Sequence, residues 1–215
     1  MIRVALIDGP LRPDHPALVR RSVLRPGDTG AAEGGHAAAM AAALLAGCPD
    51  ARIENLVVFA GGLTTNAACV ADAMEDARGA DLVLCAFGMT RADPALALAT
   101  ARVSEGGAVI AAPARGAPVF PAAFDGVVSV QGDARCGPTD WSRLDLPQAR
   151  FGACPALAPH PGVAGASVAA AHFAGIVARH LAGGAPGVDA IALIARTAPH
   201  QGRERRGLAA APQPG

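Results

Sequence analysis

Apolar runs and stretches of helical period alternate along this chain. Residues 3–8 carry Val4-Ala5-Leu6-Ile7 and close on Asp8, which predicts a buried strand ending in an acid. Gly9-Pro10 and Arg12-Pro13 break it. Residues 27–35 form a polar, glycine-rich loop, and 36–46 an alanine-rich helical run stopped by Gly47 and Pro49. A second strand is predicted over 52–59. Thr65 or Asn66 can cap a helix running to about 78, ended by Gly79. A third strand follows over 81–87. Asp93-Pro94, an N-cap with proline at the first helical position, opens a helix to about 105. Residues 107–112 and 126–131 predict two more strands. Residues 132–164, rich in Pro and Gly, show no clear periodicity. Helices are expected over 165–181 and 188–197, with a flexible tail from 199 to 215 after a domain of 1–198. Buried strands alternating with helices argue for an α/β domain with a mainly parallel sheet, and no internal repeat is apparent. Ligands bind such sheets where strands end and helices begin. Asp8 ends a strand, and His36 and Ser167 each open a helix.

Composition narrows the picture. The 215 residues suffice for one domain with a real core. Apolar residues reach 52%, so the chain is globular; much of that share is alanine and only 3% is aromatic, so elements are expected to approach closely. The formal net charge is zero, which leaves no field to draw the chain to nucleic acid or to a membrane surface. The basic run 203–206 sits in the polar tail and reads as a solvated terminus. The first residues lack the apolar run of a signal peptide, and no stretch has the length of a membrane span. Five cysteines, an odd number without a C-x-x-C pair, fit reduced thiols and a cytoplasmic location. No Cys/His cluster has metal-ligand spacing, so neither a metal nor another cofactor is expected.

The chemistry rests on three residues. A serine hydroxyl is a weak nucleophile until a base lies within hydrogen-bond reach and an acid orients that base. Ser167 opens a helix after Gly165-Ala166, so its own N–H can face a developing oxyanion. Taken singly, Asp8 reads as a turn former, His36 as structural and Ser167 as a helix cap. Their flanking motifs favour a catalytic triad. Val4-Ala5-Leu6-Ile7-Asp8-Gly9, with His15-Pro16-Ala17-Leu18 downstream, resembles the aspartate motif of the subtilisin-like serine proteases. Gly34-Gly35-His36 is similar to that family's histidine motif. Gly165-Ala166-Ser167-Val168-Ala169, followed by His172, Ala174 and Gly175, resembles its serine motif, and the three come in the family's order. Weaker likenesses lie at 79–88 and 121–130. Together they span residues 2 to about 182.

That resemblance implies a three-layer subtilisin-like α/β fold with a mainly parallel central sheet and minimal loops. It implies a triad of Asp8, His36 and Ser167. It places Ala86-Phe87-Gly88 along one side of a bound peptide and Gly61-Gly62-Leu63 along the other, the peptide adding as a strand. One part departs from the pattern. The family's asparagine donor to the oxyanion falls here on Ala114 or Arg115. Arg115 is the oxyanion candidate, since a guanidinium donates strongly; the alternative is that it points to solvent. His172 reads as structural, His15 as a loop residue, and Cys69 and Cys85 as core.

The function expected is a serine endopeptidase. No prosegment precedes the first strand and no acidic calcium loops are evident. These absences suggest a selective processing protease that removes a leader from a peptide or protein precursor, alongside other maturation enzymes. By size and missing parts it is analogous to the protease that processes the small subunit of quinohaemoprotein amine dehydrogenase. Two alternatives stand beside it: a peptide-binding module on the same fold that cuts weakly or not at all, and a transpeptidase or macrocyclase using the same acyl-enzyme.

Overall fold

A computed structural model describes residues 1–24, 35–62, 64–112, 117–158 and 162–203. The first strand, β1 (Arg3–Asp8), is buried from Val4 onward. It is followed by β2 (Leu18–Val23), helix α1 (His36–Gly47) and β3 (Arg52–Val57). Next come α2 (Ala67–Asp76), β4 (Leu82–Cys85), α3 (Pro94–Gly106), β5 (Ala108–Ala111) and β6 (Val127–Gly132). The chain continues through β7 (Trp141–Leu146), β8 (Ala149–Ala153), α4 (Ala166–Ala182), α5 (Gly187–Arg196) and β9 (His200–Gln201). Among the described residues the strands form one sheet in the order β2-β3-β1-β4-β5-β6-β8-β7-β9. Its pairs are parallel except for β7 with β8. The mainly parallel α/β fold expected from the sequence is therefore present.

Side chains alternate across the sheet with the strand period of two and so divide the core in two. Val4, Leu6, Leu82 and Leu84 pack with α1, α4 and α5, while Ala5, Ile7, Val83 and Cys85 pack with α2 and α3. The result is three layers. Capping follows the sequence signals: Asn66, not Thr65, caps α2 by accepting from the Cys69 N–H, and Asp93 caps α3 by accepting from Leu96 N–H.

Glycine makes the closest helix contact possible. Helix α1 crosses α4 where Gly47 meets Gly175, and a Cβ on Gly175 would run into the Leu44 carbonyl. His36 opens α1 and Ser167 lies in the first turn of α4, so the crossing packs together the two helices that carry them.

Within 132–164, where the sequence shows no clear periodicity, the described residues include β7 and β8 as an antiparallel pair. Strand β7 alternates buried Ser142 and Leu144 with exposed Arg143 and Asp145, a period-two signal only four residues long. Beyond residue 198, where the sequence reading placed the end of the domain, the described residues continue to 203. His200 and Gln201 pair with Ser142 and Arg143, and Gly202 donates to the Arg143 carbonyl while accepting from Arg135. Strand β2 was absent from the sequence expectation because its outward face carries Arg20 and it lies at the sheet edge, without an apolar run.

Candidate active site

Strand order reverses around β1: the chain first adds β2 and β3 on one side and then crosses to β4 on the other. Loops leaving the carboxyl ends of β1 and β4 therefore diverge and leave a crevice, the usual ligand position in such sheets. A cleft of about 910 Å³ opens there. Asp8, His36 and Ser167 all line it, as do Gly61, Gly62, Ala86, Phe87 and Gly88. Two residues expected near the substrate, Leu63 and the oxyanion candidate Arg115, lie outside the described residues.

Asp8 ends β1 and is buried. Its carboxylate meets the His36 ring, with Nδ1 2.8 Å from Oδ2 and 3.0 Å from Oδ1. The Gly9 N–H donates to Oδ1 at 2.6 Å. These contacts select the tautomer with the proton on Nδ1 and leave Nε2 as an acceptor. The hydrogen bond from Asp8 raises the His36 pKa above its ordinary value, against the opposing effect of burial.

Ser167 occupies the first turn of α4. The chain enters that helix through Gly165, whose φ of 108° lies in the region that favours glycine. Its hydroxyl donates to the Ala86 carbonyl at 2.7 Å. No hydrogen bond joins Ser167 to His36 in this arrangement, so the hydroxyl must turn about its Cα–Cβ bond before His36 can receive its proton.

The cleft also contains residues that the sequence did not single out for it. Phe59 stands edge-to-face against Phe87 with ring centroids 5.1 Å apart. Met89, Thr64, Thr65 and Arg91 complete that wall. Phe59 had a signal, since it follows the apolar run of β3 directly. Met89 is pinned by a reciprocal pair of hydrogen bonds with Phe120, which only the tertiary fold brings near.

His172 is buried, with Nδ1 on the Cys154 carbonyl at 3.0 Å, away from the cleft lining. All five cysteines are free and buried. Among the described residues no group of three or more His, Cys, Asp or Glu is placed to hold a metal ion, and no helix is long and apolar enough to cross a membrane.

No family model and no curated protein match the sequence. Solved structures do match. A cold-adapted subtilisin-like serine proteinase superposes with a TM-score of 0.70 at 16% identity, over 91% of this chain and 81% of its own. The fold is that of the subtilisin-like proteases. Two further structures share it at greater distance. The prenylagaramide maturation protease PagA has a TM-score of 0.60 at 21% identity, over 84% of this chain and 75% of its own. A lanthipeptide protease has a TM-score of 0.62 at 18% identity, over 93% and 76%. At these identities the likeness carries the subtilisin-like fold; the chemistry must come from the cleft.

Proposed function

We propose that this chain is a serine endopeptidase in which Ser167 is the nucleophile, His36 the general base and acid, and Asp8 the orienting carboxylate. The observation that carries this reading is the Asp8–His36 hydrogen bond at 2.8 Å in the same cleft as Ser167, on a subtilisin-like fold. A peptide laid between Ala86-Phe87-Gly88 and Gly61-Gly62 would present its carbonyl to Ser167. Oγ attacks the carbonyl carbon as its proton passes to His36 Nε2. Asp8 stabilises the imidazolium without taking the proton. The oxyanion forms at the N-terminus of α4, where the Ser167 N–H is available and the helix dipole favours negative charge. Arg115 remains the candidate for the second donor on sequence grounds. Collapse breaks the C–N bond, the amine leaves with the proton from His36, and an ester on Ser167 remains. Water, activated by the same imidazole, hydrolyses it.

The finer proposal is a selective enzyme that removes a leader from a precursor peptide, acting in the cytoplasm beside other maturation enzymes. Its support is the peptide-maturation role named for one structural neighbour and the peptide class named for another. A second reading, a peptide-binding module that cuts weakly, draws on one feature: the Ser167 hydroxyl is committed to Ala86 and not to His36. Mass spectrometry of a mixture of diverse peptides incubated with the protein separates the two. The proposal expects cleavage at a restricted set of bonds, lost in Ser167→Ala. Peptides retained intact by both proteins would establish the binding module, and ligated or cyclic products would point to transpeptidation.

A further inference from the structure

Asn55 is a fully buried polar residue in the middle of β3, paired in register with Leu6 of β1. An amide there has four hydrogen-bonding positions to satisfy away from water. Three of them are met, two on the segment that follows β1 and one on β1 itself. Its Oδ1 accepts from the Leu11 N–H at 2.8 Å, and its Nδ2 donates to the Gly9 carbonyl at 3.1 Å and the Leu6 carbonyl at 3.4 Å. The partners also settle the amide orientation, because the oxygen faces an N–H and the nitrogen faces two carbonyls. Arg21 of β2 grips the same turn from the other side by donating to the Leu11 carbonyl at 3.1 Å.

The turn held in this way is the one that holds the carboxylate. Gly9 takes a hydrogen bond from Asn55 on its carbonyl and gives one from its N–H to Asp8 Oδ1. Asp8 in turn holds His36. Asn55 does not line the cleft, so it meets no substrate.

We propose that Asn55 is a positioning residue for the base: through Gly9 it aims the Asp8 carboxylate at His36 Nδ1. Without it, the Gly9-Pro10-Leu11 turn keeps the Arg21 hydrogen bond and the buried Leu11 side chain but loses its tie at Gly9, and the carboxylate is freer to rotate away from the imidazole. The function of the alignment rests on the serine-peptidase reading above, but the alignment itself can be read without activity. Among the described residues, Asp8 is the charged group that shifts the His36 titration. Cys85, opposite Ile7 on the β1–β4 ladder, stays a neutral thiol because burial and then the charge of Asp8 push its pKa up. The His36 titration therefore reports on Asp8.

The test is NMR titration of the His36 ring in the whole chain. The variants are Asn55→Leu, similar in size and uncharged, and Asn55→Ser, smaller and retaining one hydroxyl. The comparator is Thr100→Val, which removes a fully buried hydroxyl bonded to the Leu96 carbonyl in α3. The Asn55 variants should lower the His36 pKa toward the ordinary imidazole value, Leu further than Ser, while Thr100→Val loses stability and leaves the titration in place. If Asn55→Leu does not fold, Asn55→Ser decides. In an active enzyme kcat should also fall about tenfold to a hundredfold with KM little changed, the usual penalty for a slightly misplaced catalytic group. An unmoved His36 pKa in the folded Asn55 variants would overturn the proposal, as would an equal shift in Thr100→Val. An inactive parent protein would instead count against the peptidase reading, with the titration still interpretable.

Discussion

The two halves of the candidate site are held very differently. On the base side, Asp8 accepts from Gly9 and His36, and the turn beyond it is gripped by Asn55 and Arg21. On the nucleophile side, the Ser167 hydroxyl has one partner among the described residues, the Ala86 carbonyl. A base must keep one tautomer and one direction through the whole reaction, so a rigid surround serves it. A nucleophile must leave its resting contact to attack. Ala86 belongs to the segment expected to meet substrate backbone, so an arriving peptide can compete for that carbonyl and release the hydroxyl. On the proposed reading, the contrast is between a base set in advance and a nucleophile set free by the substrate.

Removing either half at its centre should have the largest effect. Ser167→Ala should abolish peptide cleavage, and Asp8→Asn should lower kcat by about 10⁴-fold through the wrong imidazole tautomer, both measured on a cleaved peptide. Equal losses from Asp8→Asn and a surface substitution would break the comparison.

Gly175→Ala disturbs both halves at once, because it wedges apart the helices that carry His36 and Ser167. Overpacking against the Leu44 carbonyl should cost about 1–3 kcal/mol and lower the melting temperature by roughly 5 °C, read by thermal denaturation.

Proton linkage gives a gentler probe of the base side. His36 must be neutral to act, so kcat/KM should rise with pH through a His36 pKa held above its ordinary value by Asp8. Stability runs the other way. The raised pKa means the Asp8–His36 contact contributes fully below the ordinary imidazole pKa and is lost as pH rises through the folded one. Asp8→Asn should remove that stability term and move the His36 titration to lower pH, measured by NMR and by denaturation as a function of pH.

The smallest expected effect lies outside the cleft lining. Burial pushes the Asp133 pKa up, but hydrogen bonds and charge from Arg135 bring it down to about 2. Its contribution is present above the ordinary carboxylate pKa and lost as pH falls toward 2, so Asp133→Asn should flatten the acid limb of stability without altering the activity profile. A change in the activity profile would tie the segment after β6 to the site.

Legibility followed burial. Strands β1 and β4 are sandwiched between two helical layers, so they read as continuous apolar runs, and Asp8 stood out as the acid closing the first of them. Strands β2, β7 and β9 lie toward the edges and carry outward charges such as Arg20 and Arg143, which hide them from an apolar-run criterion. His36 and Ser167 were legible as helix openers within short motifs. Asn55 was not, because its role depends on the β1–β3 register, which places it opposite Leu6 and beneath the turn after Asp8. Phe59 and Met89 were missed as cleft residues for a similar reason: their place follows from the crevice between two diverging loops, not from local pattern.

Covalent labelling tests the central claim most directly. A fluorophosphonate should form one adduct at neutral pH, mapped by peptide mass to Ser167, and lose most of it in His36→Ala with the fold intact. Folded protein that takes up no label at Ser167, or labels equally well without His36, would contradict the account.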